Sequence, residues 1–308
     1  MELSVVIPVY RAADCLAELH RRLTATLGGM KLDYEIVLVD DGSPDASGDV
    51  IAEIARRDSR VVSLLLSRNF GQHAAVTAGL TEARGHWIVV MDCDLQDPPE
   101  SIPALYEKAQ QGYDVVLGRR IGRKDSFFKR LTSRVWFAIF NHLADLDADP
   151  ASGNFSIVSR QVIAELLRVN DVHRQYLMLL RWLGFRRAYV DYEHGARFAG
   201  RSSYSLSRLV RHSMTTIAAH STKLLYLAIW MGFVFMLISV GLAGYVIVQK
   251  LLYRIGVQGW ASLMAAVWLV GGAVLFSLGV LGIYIGKIFE QVKQRPLFIV
   301  RKRIGGGE

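Results

Sequence analysis

The sequence predicts an α/β fold: a mainly parallel sheet covered by helices on both faces, followed by two long apolar helices. Two observations predict it. Over the first 117 residues short β-branched runs alternate with helical stretches, and later two segments, 224–248 and 261–286, contain no Asp, Glu, Lys or Arg. Such alternation implies parallel strands joined by crossover helices. At about 1.5 Å per residue, either uncharged run can cross a hydrocarbon core of roughly 30 Å.

The elements follow in order. Strand Ser4–Val9 runs into a turn at Pro8 and Tyr10 and precedes a helix over Asp14–Leu27; strand Glu35–Val39 precedes a helix over Ala46–Arg57. Strand Val61–Leu66 leads to helix Gln72–Glu82, strand Trp87–Met91 to helix Glu100–Gln110, and Val115–Leu117 is a fifth strand. In sheets of this kind ligands gather beyond the carboxyl ends of the strands. Polar clusters stand there: Pro8 and Tyr10, then Asp40-Asp41-Gly42-Ser43, then Asp92, Asp94 and Gln96, then Gly118-Arg119-Arg120. Turn and N-cap chemistry accounts for Ser43 and Asp45. Convergence of several strand ends on one edge points to a site. Asp92-Cys93-Asp94-Leu95-Gln96 brings two carboxylates and an amide oxygen to one point, which suits Mg²⁺ or Mn²⁺ completed by a diphosphate. No Gly-x-Gly-x-x-Gly follows the first strand and no Gly-x-x-x-x-Gly-Lys-Ser/Thr occurs, which excludes a dinucleotide-binding dehydrogenase and a P-loop enzyme.

Hydrophobic residues make up 52% of the chain, above the roughly 45–50% of soluble proteins, and the net charge is +8. Arg201, Arg208, Arg211 and Lys223 precede the first apolar run, and Lys287, Lys293, Arg295, Arg301, Lys302 and Arg303 follow the second. Only Lys250 and Arg254 lie between. The positive-inside rule therefore predicts a two-span hairpin in the inner (cytoplasmic) membrane, with both termini cytoplasmic and residues 249–260 on the other side. Basic flanks beside apolar runs favour anionic membrane lipid over nucleic acid as partner. Gly282 and Gly286 permit hairpin packing or a homo-oligomer. Leu3–Val9 is too short for the apolar core of a secretory signal, and Cys15 and Cys93 fit a reducing compartment. The expected division is a cytosolic domain over 1–200, an interfacial helix over 201–223, the hairpin over 224–286 and a basic tail over 287–308.

Four motifs, Val6-Ile7-Pro8-Val9-Tyr10, Val39-Asp40-Asp41-Gly42-Ser43-Pro44-Asp45, Ser67-Arg68-Asn69-Phe70-Gly71 and Met91-Asp92-Cys93-Asp94-Leu95-Gln96-Asp97-Pro98-Pro99-Glu100, resemble those of the family 2 glycosyltransferases. With the two-span tail and Glu290-Gln291-Val292-Lys293-Gln294-Arg295-Pro296, the chain resembles their polyprenyl-phosphate branch, akin to dolichol-phosphate mannosyltransferases and bactoprenol glucosyltransferases. The resemblance implies a GT-A-type, Rossmann-like fold and inverting transfer from a nucleotide-sugar donor to a polyprenyl phosphate such as undecaprenyl phosphate. UDP-glucose is the first expectation and GDP-mannose the second. It places the nucleotide against Pro8, Tyr10, Asp40 and Asp92, the metal on Asp92, Asp94 and Gln96, and a phosphate against Arg120. Lys129 and Ser133, within the basic and bulky stretch Phe127–Phe137, match positions that hold the lipid phosphate, as does Arg197, with Arg201 standing in for a Lys that is Ser203 here. A second stretch of this type, Leu206–Ile217, precedes the first apolar run. Where bactoprenol glucosyltransferases commonly carry Gly-Asp-Phe, this chain has Gly153-Asn154-Phe155, and Gly282-Ile283-Tyr284 replaces a familiar Gly-Glu-Tyr.

A phosphate monoester is already about −1.5 to −2 charged near pH 7, so the acceptor needs no strong base. The expected catalytic residues are Asp94, Arg120 and Asn154, with Asn154 orienting rather than abstracting a proton. His73 and His194 are weaker acid/base candidates. The rival readings are a processive polysaccharide synthase, against which Met178 stands where a Gln belongs, and a non-catalytic nucleotide-sugar-binding membrane scaffold.

Overall fold

A computed structural model describes residues 1–121, 152–172, 174–193, 195, 223–253 and 259–306. These fall into two compact units, one built on a sheet and one on two long helices. Lys129, Ser133, His194, Arg197, Arg201 and the two stretches 127–137 and 206–217 lie outside the described residues.

The first unit holds an eight-stranded sheet. Strand β1 (Leu3–Val9), helix α1 (Ala13–Gly29), β2 (Tyr34–Asp40), α2 (Ser47–Arg57), β3 (Val61–Leu66), α3 (Gln72–Glu82), β4 (Trp87–Val90), α4 (Ile102–Ala109) and β5 (Val115–Ile121) form the expected alternation. Three further strands follow: β6 (Ser152–Ser159), β7 (Arg187–Glu193) and β8 (Val300–Gly305), with helices α5 (Arg160–Arg168) and α6 (Tyr176–Trp182) between β6 and β7. The strand order is β7-β5-β6-β4-β1-β2-β3-β8. The sheet is therefore mixed: β6 is antiparallel to both β4 and β5, and β8 is antiparallel to β3. The Rossmann-like core, β3-β2-β1-β4, is parallel throughout.

β1, β2 and β3 are buried along their whole lengths, as strands covered on both faces must be. Leu16, Leu19, Leu23 and Leu27 of α1, spaced three or four residues apart, fill one side of the sheet with Ile7, Leu38 and Phe155. Val6, Val37, Val39, Leu80, Val162 and Leu180 fill the other. Pro8 sits in a central strand without leaving a ladder donor unpaired, because pairing of β1 with β4 stops at Val6–Val90.

Residues 287–306 hold the end of a long helix and then β8, which closes the outer edge of β3. The Ser67 N–H donates to the Ile299 carbonyl at 2.9 Å, and Arg303 grips Glu82 of α3 at 2.8 and 3.0 Å. Gly305 has φ +78°, and a Cβ there would lie 2.3 Å from the Val61 carbonyl oxygen, so only glycine fits.

The second unit contains helices α7 (Lys223–Tyr253) and α8 (Trp260–Val292), packed on one another. Large apolar side chains stay exposed on both, among them Trp230, Leu237, Leu275 and Ile285. Among the described residues one stretch, Leu269–Val292, is long and apolar enough to cross a membrane by length and composition.

Candidate active site

The carboxyl ends of β1, β2 and β4 meet, and the loops leaving them are tied together. The Asp41 N–H bonds to the Val9 carbonyl at 2.9 Å, and the Arg11 and Ala12 N–H groups donate to Ser43 Oγ and Ser47 Oγ at 3.1 and 2.9 Å. Buried Asp40 accepts from the Ser43 N–H. Tyr10 projects from the end of β1, with the Arg11 guanidinium 5.4 Å from its ring centre. Asp41 turns the other way and accepts from the Phe70 and Gly71 N–H groups at 2.7 and 2.9 Å, fixing the loop before α3. Burial raises its pKa against the effect of those two donors. Gly42, at φ +63°, lies under the Arg68 backbone, where a Cβ would come within 2.4 Å.

After β4 the chain turns sharply through Cys93–Asp97. Leu95 adopts φ +61°, a left-handed conformation that costs a branched residue about 1–2 kcal/mol. Its buried side chain, the Gln96 N–H on Asp94 Oδ1 at 3.2 Å and the Gly195 N–H on the Gln96 carbonyl at 2.9 Å hold it there. Below the turn, the Cys15 thiol donates to the Cys93 carbonyl at 3.0 Å.

Asp92 is held from two sides. Gln72, the first residue of α3, donates from Nε2 to Asp92 Oδ1 at 2.7 Å, and the Asn154 side chain donates to the same carboxylate. The second contact follows from register: β4 and β6 run antiparallel with Val90 opposite Ser156, so two residues further Asp92 stands opposite Asn154. Burial, with the charges of Asp97 and Asp94, pushes the Asp92 carboxyl up to about 6.

Arg120 does not follow the fifth strand but lies within it, half-buried, because β5 runs on to Ile121. β5 pairs in parallel with β7, setting Arg119 beside Asp191 and Arg120 beside Tyr192. Successive side chains point to opposite faces of a strand. Arg119 therefore pairs with Asp191 on one face, at 2.6 Å, while Arg120 meets Tyr192 and Asp97 on the other. Burial opposes the Arg120 charge, and the Asp97 carboxylate and Tyr192 hydroxyl more than offset it, so its pKa lies above the usual value.

Of the residues singled out from sequence, the structure gathers Asp92, Asp94, Gln96, Arg120 and Asn154 at one end of β4, β5 and β6, with Pro8, Tyr10 and Asp40 at the neighbouring strand ends. Gln72, Asp97 and Tyr192 belong to the cluster and escaped notice. Asp97 stood inside a quoted motif, and the alternation Arg187-Ala188-Tyr189-Val190-Asp191-Tyr192-Glu193 was the signal for β7.

The residues fit a divalent cation. Among the described residues no three His, Cys, Asp or Glu side chains converge, so an ion would rest on Asp92, Asp94 and the Gln96 amide, leaving positions for diphosphate oxygens.

Residues 4–167 match the model of Glycosyl transferase family 2. The chain is 37% identical over 313 residues to the glycosyltransferase YkcC of Bacillus subtilis, covering 99% of this chain and 95% of that one. It is 35% identical over 305 residues to the undecaprenyl-phosphate 4-deoxy-4-formamido-L-arabinose transferase of Edwardsiella ictaluri, covering 97% and 93%. The fold matches glucosyl-3-phosphoglycerate synthase of Mycobacterium tuberculosis, solved with Mn²⁺, uridine diphosphate and phosphoglyceric acid, with a TM-score of 0.51 at 21% identity over 71% of this chain and 76% of that one. With a GT-A-type sheet, a metal-competent Asp-x-Asp at its edge and these relatives, the chain is a glycosyltransferase and belongs to family 2.

Proposed function

We propose that the enzyme transfers a sugar from a nucleotide-sugar to a polyprenyl phosphate at the cytoplasmic face of the membrane, with inversion at the anomeric carbon. The observation that carries this reading is the neighbour of Asp92: an amide, Asn154, rather than a third carboxylate. An alcohol acceptor would need a base there, whereas a phosphate acceptor arrives ionised and needs cations and fixed donors. The undecaprenyl-phosphate transferase among the relatives supports the same acceptor.

In the proposed reaction Pro8, Tyr10 and Asp40 bind the nucleotide. A divalent ion on Asp92, Asp94 and Gln96 would neutralise the departing diphosphate. Gln72 and Asn154 hold the Asp92 carboxylate in one orientation, and Asn154 keeps no proton to move. Arg120 offers fixed positive charge where two anionic groups must approach, a form of electrostatic preorganisation. Lys129, Ser133, Arg197 and Arg201 are assigned to the lipid phosphate from sequence.

Two spans with both termini cytoplasmic are part of the proposal. β8 follows α8 and pairs with β3, so the chain enters α7 from one folded sheet and returns from α8 to that same sheet. A single crossing would put β3 and β8 on opposite sides of a bilayer. The distribution of Lys and Arg selects the cytoplasm.

The test is incubation of the purified enzyme with undecaprenyl phosphate, Mn²⁺ and a panel comprising UDP-glucose, GDP-mannose and nucleotide-activated 4-deoxy-4-formamido-L-arabinose. Mass spectrometry of the lipid and NMR of its anomeric centre read the product. The expected result is one glycosyl phospholipid of inverted configuration. Transfer to an alcohol acceptor in preference to the lipid phosphate, or retained configuration, refutes the proposal.

A further inference from the structure

Arg120 is enclosed in a way that a simple surface cation is not. Its Nε donates to Tyr192 Oη at 3.0 Å and its Nη2 to Asp97 Oδ1 at 3.2 Å, while Tyr192 Oη donates to Asp97 Oδ1 at 2.5 Å. The three groups close a triangle on a carboxylate that is fully buried. Two glycines make room for it. A Cβ on Gly153 would lie 2.7 Å from Arg120 Nη2, and one on Gly118 would lie 2.7 Å from the Tyr192 ring and 2.9 Å from Phe155. Phe155, fully buried, meets the Tyr192 ring edge-on at 5.2 Å between centres. The segment Gly153-Asn154-Phe155 thus acquires a physical meaning at each position: space for the guanidinium, a donor for Asp92, and a wall for Tyr192.

A guanidinium is a planar fork with two edges that can each bind an oxyanion. Here the Nε–Nη2 edge is taken by Tyr192 and Asp97, and Nη1 has no hydrogen-bond partner among the described residues. We propose that Asp97 and Tyr192 are positioning residues: they form a receptor for the inner edge of Arg120 and thereby aim its Nη1 edge at a phosphate of the donor diphosphate or of the acceptor. A lysine could not serve, since a single ammonium cannot fill the receptor and face outward at once. This assignment rests on the transfer reaction proposed above.

The experiment is chemical rescue. Arg120→Ala is expected to lose transfer by about a hundred- to a thousandfold, the scale for removing one fixed donor from a reacting anion. Guanidinium chloride at low millimolar concentration should then restore it at least tenfold over matched NaCl. In Arg120→Ala/Tyr192→Phe and Arg120→Ala/Asp97→Asn the rescue should vanish, although Phe preserves the ring against Phe155. Tyr192→Phe alone should slow transfer about tenfold or more, as loss of a hydrogen bond to a charged group does, and should add nothing further in the Arg120→Ala or Arg120→Lys background. The Michaelis constant that rises, for nucleotide-sugar or for lipid phosphate, identifies which phosphate Arg120 meets. A second arm needs no turnover: low guanidinium should raise the melting temperature of Arg120→Ala but not of its Tyr192→Phe double variant. Thermal rescue without transfer to any lipid would retain the receptor and remove the proposed reaction. Rescue that persists in the double variants, or a Tyr192→Phe effect that is undiminished without Arg120, would overturn the receptor.

Discussion

Asp92→Asn should stabilise the metal-free protein near neutral pH while abolishing its activity. The Asp92 carboxyl is pushed from its ordinary 3.8 to about 6 by burial and by the charges of Asp97 and Asp94. A shift of that size corresponds to about 3 kcal/mol between the two protonation states. The folded-state pKa is the higher one, so the folded protein holds the proton more tightly than the unfolded chain. The penalty on the folded state is therefore full above about pH 7, shrinks as the pH falls through 6, and is gone below about 4. Asn removes the charge but turns an NH₂ toward one of the two donors, Gln72 or Asn154, losing a hydrogen bond of about 1 kcal/mol. The net gain at pH 7.5 is about 1–2 kcal/mol, or roughly 2–6 °C in Tm. Differential scanning fluorimetry in detergent and EDTA, at pH 7.5 and pH 4.5, measures it. The variant should melt higher at pH 7.5 and close to wild type at pH 4.5, and Mn²⁺ with UDP should raise the wild type more than the variant. A variant that melts lower than wild type in EDTA at pH 7.5 would refute the reasoning.

Asp94→Ala should reduce transfer below detection with unchanged circular dichroism, because Asp94 lies at a strand end rather than in the core; full activity of wild type in excess EDTA would remove the metal. Asn154→Asp should leave the pH–rate profile without a new acidic limb at saturating lipid, since no base is required, and a large gain in rate together with such a limb would show otherwise. In a background lacking Cys15 and Cys93, a cysteine at Gly259 should react with an impermeant maleimide outside the cell and one at Gly306 should not; the reverse pattern would invert the hairpin. Gly42→Ala should destabilise the sheet unit by more than 2 kcal/mol, about the scale of backbone strain plus overpacking, measured by urea denaturation.

The parallel core was legible because its strands are apolar and β-branched and each is followed by an amphipathic helix; Leu16, Leu19, Leu23 and Leu27 fall on one face of α1 as their spacing implies. The edge strands were harder to read. β8 is Val-Arg-Lys-Arg-Ile-Gly, so its positive charges spoke for a membrane flank, and only pairing with β3 reveals a strand. β7 alternates as a half-exposed strand should, yet it is short and follows a helix, and its partner β5 lies far back in the sequence. At the site, the strand-end position of Asp92, Asp94 and Gln96 could be read from Trp87–Met91 and the turn that follows. The grip of Asn154 on Asp92 and of Tyr192 on Arg120 could not, because each depends on the register of strands joined through long intervening segments.

The position of β8 also fixes the order in which the molecule can be made. Val62 waits for Gly305, and Leu65 for Lys302, until both long helices have been synthesised. Throughout synthesis of both long helices, the outer edge of Val61–Leu66 therefore stands open, an apolar strand with unpaired amides of the kind that recruits stray chains. If both helices cross a membrane as proposed, only a polypeptide inserted so as to bring residue 300 back to the starting side can close that edge. On the proposed two-span topology, sheet completion would act as a proofreading step on membrane insertion: a chain threaded with the wrong number of crossings would keep a raw edge, a recognisable mark for chaperone or protease.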